Sequence, residues 1–81
     1  MESGYGRFDL ALFPTRADRA GVIMEFKAAK TLKTLNAKAK EALAQIETNA
    51  YLAEFRRRGL KEIWRYGIAF RGKKVKIEIG R

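Results

Sequence analysis

The sequence predicts a mixed α/β (α+β) fold whose elements follow the order β-β-α-β-β. Three observations carry that prediction. Two extended apolar runs, Arg7 to Phe13 and Gly21 to Ala28, open the chain. A 3.6-residue apolar period then spans Leu32 to Arg57, the mark of an amphipathic helix. Two further extended runs, Glu62 to Phe70 and Lys74 to Ile79, flank the turn Arg71-Gly72-Lys73. A strand–helix–strand link of this length implies a right-handed crossover, and so one parallel pair inside an otherwise antiparallel sheet.

The elements follow in order. Gly4-Tyr5-Gly6 leads into the first strand. The polar segment Pro14 to Gly21 begins with a proline and ends with a glycine, which suits a hairpin connection. In the second strand side chains alternate, so Val22, Met24 and Phe26 point one way and Ile23, Glu25 and Lys27 the other. In the helix, Leu32, Leu35, Ala39, Ala42, Leu43, Ile46, Ala50 and Ala53 share one face, with Lys40, Glu41, Glu47 and Glu54 opposite. Gly59 stands where a helix stop is expected, after the cations Arg56-Arg57-Arg58 that complement the helix dipole. The last strand alternates strictly, Val75, Ile77 and Ile79 against Lys74, Lys76 and Glu78, as expected of an edge strand whose lysines guard the exposed face.

At 81 residues the chain is expected to form a single domain, 1–81, with a small core that partner subunits often supplement. Cysteine and histidine are both absent, which excludes disulfides, thiolate chemistry, His/Cys zinc sites and Ser-His triads. The only serine is Ser3, in the terminal lead-in. Catalysis, if present, must run on carboxylates, lysine and a metal ion. No apolar run is long enough to span a bilayer and no leader peptide is evident, so a cytoplasmic location without a membrane partner is expected. Eighteen Lys and Arg against nine Asp and Glu give a net charge of +9, which favours a polyanion as partner; a solvated basic surface is the alternative.

One constellation carries chemistry. Glu25 and Lys27 share a strand face, about 6.6 Å apart along the strand, and Asp9 lies on the preceding predicted strand. If the strands pair, both carboxylates converge beside the lysine. Two hard oxygen ligands suit Mg²⁺ or Mn²⁺, and a neighbouring lysine suits orientation of water or stabilisation of phosphate charge. Equally, Glu25 and Lys27 can form an ordinary same-face ion pair. Gln45 sits at the shoulder of the helix's apolar stripe, where it could reach over the sheet.

The ordered set Gly6-Arg7-Phe8-Asp9, Val22 to Lys27, Ala42 to Ile46 with Tyr51, Gly67 to Phe70 and Lys73-Lys74-Val75 resembles the PD-(D/E)XK nuclease superfamily. It is similar in particular to the nuclease-like module at the C-terminus of predicted AAA-ATPase-like proteins. The resemblance covers about Gly4 to Ile79. It implies a restriction-endonuclease-like mixed sheet and metal-dependent cleavage of DNA phosphodiester bonds. It also implies that Asp9, Glu25 and the backbone carbonyl of Phe26 bind the metal, and that Lys27 positions the attacking water. Gln45 and Tyr51 match the helix motif that flanks such sites, although Tyr51 also reads as an ordinary core aromatic. Relative to the superfamily pattern, Phe8 replaces a proline, and Asn49 occupies the position four residues after Gln45 where the RecB-like nucleases carry tyrosine. The helix and strand that usually precede the Asp-bearing strand are expected to be missing, so the core is read as truncated at its N-terminus.

A truncated sheet would leave an apolar face uncovered, and a homodimer is the expected means of covering it. In longer relatives an ATPase domain would be the neighbour. Lys30, Lys33, Arg71, Lys73 and Lys74, with Tyr51, are the expected nucleic-acid contacts, and no base-reading element stands out. The alternative function is a catalytically degenerate nucleic-acid-binding or dimerisation module.

Overall fold

The structure, a computed structural model, describes residues 7–16 and 18–80. Four strands, β1 (Arg7–Leu12), β2 (Gly21–Ala28), β3 (Ile63–Arg71) and β4 (Lys74–Gly80), form one sheet in the order β1-β2-β3-β4. The β1/β2 and β3/β4 pairs are antiparallel, and β2/β3 is parallel. The mixed sheet expected from the crossover is therefore present, with β2 and β3 as its central strands.

The crossover follows the expected helical stretch but is interrupted. A 3₁₀ turn (Leu32–Thr34) leads into α1 (Leu35–Gln45), a second 3₁₀ turn (Ile46–Thr48) follows, and α2 (Ala50–Arg57) begins after Asn49. Asn49 is extended, at φ −75° and ψ 135°, and its side-chain oxygen accepts from the Tyr51 N–H at 2.7 Å. An Asn N-cap satisfies one of the orphan donors that every helix start exposes, so it starts a new helix where the periodicity alone would run on.

The break resets the helical phase. Up to Ile46 the expected face is the buried one, with Ala39, Ala42 and Ile46 fully buried. Beyond it Leu52 and Phe55 are buried, and the expected Ala50 and Ala53 are exposed. Leu32 is also exposed. At the far end Gly59, at φ 77°, terminates α2 as expected, with the Leu60 N–H bonded to the Phe55 carbonyl at 3.2 Å.

The core lies between the helices and one face of the sheet. Ile23, Ile46, Leu52, Phe55 and Ile63 form its centre. Phe13 closes one side, its ring edge-on to Phe55 at 4.4 Å and beneath the Arg58 guanidinium. Gly67 brings α1 down onto β3: a Cβ there would lie 2.3 Å from the Ala39 carbonyl oxygen and 2.4 Å from the Leu43 nitrogen. Only glycine permits that approach.

Paired residues share a face, so the registers place Asp9, Glu25, Gly67 and Glu78 together on the helix side. This corrects the expectation for β4. Its Lys74-Lys76-Glu78 side faces the helix layer, and its apolar side, Val75, Ile77 and Ile79, is the one left open, 49–60% exposed. The small residues Gly67 and Ala69 explain the choice, because they make the helix side of β3 the face that a helix can approach closely.

Candidate metal and nuclease site

Asp9 and Glu25 are direct partners across the β1/β2 ladder. Direct partners have Cα atoms about 4.5–5.5 Å apart and side chains on one face. Both carboxylates meet Asn49, whose Nδ2 donates to Asp9 Oδ2 at 3.0 Å and to Glu25 Oε1 at 3.3 Å. Glu25 is only 3% exposed. It sits on a central strand beneath the helices, where a buried charge requires polar partners. The sequence places it there by strict alternation with the apolar Met24 and Phe26.

Around these acids lies an open hollow of about 620 Å³, lined by Asp9, Glu25, Gln45, Thr48, Asn49, Ala50 and Tyr51. Gln45 is the last residue of α1, and its Oε1 is buried with no hydrogen-bond partner among the described residues. Thr48 donates its hydroxyl to the Gln45 carbonyl at 3.1 Å, which helps to end α1 beside the acids. Tyr51 stands on the first turn of α2, 39% exposed, its ring edge-on to Phe13 at 6.1 Å.

The structure brings together Asp9, Glu25, Gln45 and Tyr51 of the residues singled out from sequence. Lys27 stands apart. It lies on the same strand face and is 8% exposed, but it does not line the hollow, and its ion pair is with Glu41 of α1 at 3.2 Å. Glu41 also pairs with Lys38 at 3.2 Å. Lys38 and, after it, Lys27 hold the Glu41 carboxyl below the usual carboxylate range. Phe26 turns its side chain to the opposite sheet face, into an apolar hollow with Ile68, Phe70, Val75 and Ile77. Its backbone lies in the ladder between β1 and β3.

The basic residues expected to touch nucleic acid are all exposed. They gather at the end of the sheet where the parallel strands β2 and β3 both finish. Lys30 follows β2, Lys33 lies in the turn before α1, and Arg71, Lys73 and Lys74 make the β3/β4 turn. Arg71 NH1 donates to the Ala29 carbonyl at 3.4 Å and ties the two strand ends together. Glu25 lies three residues before the end of β2, so this basic rim is about 10 Å from it along the strand.

Two residues that sequence reasoning did not place in the site are Asn49 and Glu41. A signal for Asn49 existed: an Asn immediately before an apolar-periodic segment is an N-cap pattern. Glu41 lies on what reads as the helix's solvent face, and nothing local marks it as the partner of Lys27.

Chemically, the hollow offers two carboxylates, both hard oxygen donors, and Gln45 beside them keeps a buried, unpartnered amide oxygen. Mg²⁺ typically takes one or two carboxylates and completes its octahedron with water and substrate phosphate, so this set fits such an ion. Among the described residues no group of three or more His, Cys, Asp or Glu side chains converges. A four-strand mixed sheet with paired acids beneath a crossover helix is consistent with a restriction-endonuclease-like fold. The chain belongs to the PD-(D/E)XK nuclease superfamily, whose family model matches residues 1–79. Neither the curated proteins nor the solved structures give a match.

Proposed function

We propose that this chain hydrolyses phosphodiester bonds in DNA with the help of Mg²⁺ or Mn²⁺ held by Asp9 and Glu25. The observation that carries the reading is the direct pairing of these two acids, with both carboxylates close enough to share one amide group. When bound, the ion would polarise the scissile phosphate and lower the pKa of an attacking water. Gln45 would add its free Oε1, either to the ion's outer sphere or to that water. Tyr51 would present its ring at the mouth of the hollow. The basic rim of Lys30, Lys33, Arg71, Lys73 and Lys74 would hold the phosphate backbone without reading bases. The backbone carbonyl of Phe26, next to Glu25 on β2, would be a further ligand of the ion. A cytoplasmic place of action suits such a substrate, as does an ATPase neighbour in longer relatives.

The test is a plasmid-nicking assay with Mg²⁺ and Mn²⁺ on the parent, Asp9→Ala and Glu25→Ala. Loss of cutting by about 100-fold or more in either folded variant is expected. Undiminished cutting by both would remove these acids from the chemistry.

A second reading, a nucleic-acid-binding module with a degenerate site, draws on Lys27. Its ammonium is engaged by Glu41, outside the hollow. On that reading the chain binds DNA with strong salt dependence and never cuts it.

We also propose a homodimer through the open sheet face. Leu10, Leu12, Val75, Ile77 and Ile79 are 44–60% exposed there, and no charged side chain alternates onto that side of β2, β3 or β4. The face measures on the order of 400 Å² in projection, from strand spacing and rise. Patches of that size mark interaction surfaces. A second copy is the occupant that fits, because two identical uncharged faces are complementary under a two-fold, whereas elsewhere copies of +9 chains repel.

A further inference from the structure

We propose that Asn49 is a latch on the paired acids, a positioning residue that holds Asp9 and Glu25 together and competes with a divalent cation for them. The inference rests on the reading of these two acids as the cation site and adds what controls access to it.

The Asn49 carboxamide has its two ends committed in opposite directions. Its Oδ1 accepts from the Tyr51 N–H at 2.7 Å and caps α2. That bond fixes the amide orientation, so Nδ2 must point toward the acids. An NH₂ group carries two hydrogens, and here one goes to Asp9 Oδ2 at 3.0 Å and the other to Glu25 Oε1 at 3.3 Å. Two like charges on adjacent strands repel, and a neutral double donor between them offsets that repulsion through charge-assisted hydrogen bonds. A cation held between the two carboxylates would draw on the oxygens that the amide engages, so the amide and the ion would compete for them.

Side-chain rotation alone suffices to withdraw the amide, and the Asn49 backbone is held on both sides: its N–H donates to the Ile46 carbonyl at 2.9 Å and its carbonyl accepts from the Leu52 N–H at 3.1 Å. Movement of its side chain would release the Tyr51 N–H. Cation entry is thereby coupled to the first turn of α2 and to the aromatic ring at the mouth of the hollow.

The test uses Asn49→Ser in the full chain. Serine is as good an N-cap as asparagine but is too short to offer the bridging amide. Calorimetric titration with Mg²⁺ and with Mn²⁺ should show about tenfold tighter binding than in the parent, the loss of two displaced charge-assisted bonds. A residue that served only as a cap, or one that supported the ion, would give equal or weaker binding, and either result overturns the latch. Should the variant not fold, the parent supplies the answer by NMR. The Asn49 side-chain amide protons should be protected from exchange without metal and lose protection as Mg²⁺ saturates the site; unchanged protection at saturation overturns the proposal. The two readings fail differently. Binding in the parent that Glu25→Ala abolishes but Asn49→Ser leaves unchanged overturns the latch alone. No binding in parent or Asn49→Ser overturns the latch and the cation site together.

Discussion

Lys27 shows what a single residue's partner decides. Its strand position offered Glu25, two residues away on the same face, and the structure gives it Glu41 across the helix–sheet interface. Glu41 in turn is shared between Lys38 and Lys27, and both lower its pKa. A carboxyl whose folded pKa is depressed contributes stability that is full above its ordinary pKa and disappears as pH falls through the folded value. Glu41→Gln should therefore melt a few degrees below the parent at neutral pH. The gap should start to narrow as pH falls into the ordinary carboxylate range and should close only below the depressed folded pKa, where the parent's carboxyl is protonated as well. Thermal melts from pH 3 to 7 check this; a gap that persists at low pH would mean that the substitution acts through packing. The effect is small because Glu41 is 45% exposed and its pairs are screened by solvent.

At the scale of elements, the approach of α1 to β3 governs the architecture. Gly67 leaves only backbone against backbone, with the Ala39 carbonyl and Leu43 nitrogen where a methyl group would stand. Gly67→Ala must push α1 off the sheet, at a cost of about 3 kcal/mol or more. A denaturant titration should find it the most damaging small substitution in the chain, and a midpoint unchanged from the parent would contradict the contact. The four strands were legible because each alternates within itself. The break at Asn49 had only its N-cap pattern to mark it, and the unbroken apolar period from Leu32 to Ala53 outweighed that; the phase change shows when Leu52 and Phe55, not Ala50 and Ala53, meet the core.

For the whole molecule, two surfaces make opposite predictions. The open apolar face supports the proposed dimer, and Ile77→Lys would place a charge at the centre of its exposed β4 stripe. Sedimentation should then show a dimeric parent and a monomeric variant; a monomeric parent would leave this face to a different partner. The basic rim acts through phosphate contacts. The double substitution Lys73→Ala, Lys74→Ala should weaken DNA binding at low salt and reduce the slope of log K against log salt by about 2. An unchanged slope would place the polyanion elsewhere on the surface.

Alternation along the chain was enough to place Asp9 and Glu25 on strands and to put Glu25 opposite the apolar Met24 and Phe26, since side-chain direction in a strand is a local property of the backbone. The order of the elements and the resemblance to the nuclease superfamily were equally readable, because both depend on residue types in sequence. Three facts needed the folded chain. They are the register that makes Asp9 the direct partner of Glu25, the covering of the Glu25 face in preference to the more apolar one, and the arrival of Asn49 between the two acids. Each joins segments 16 to 40 residues apart, and such contacts are settled by steric fit between elements, here the bare backbone of Gly67 and the helix start at Asn49, and not by any periodicity within one of them.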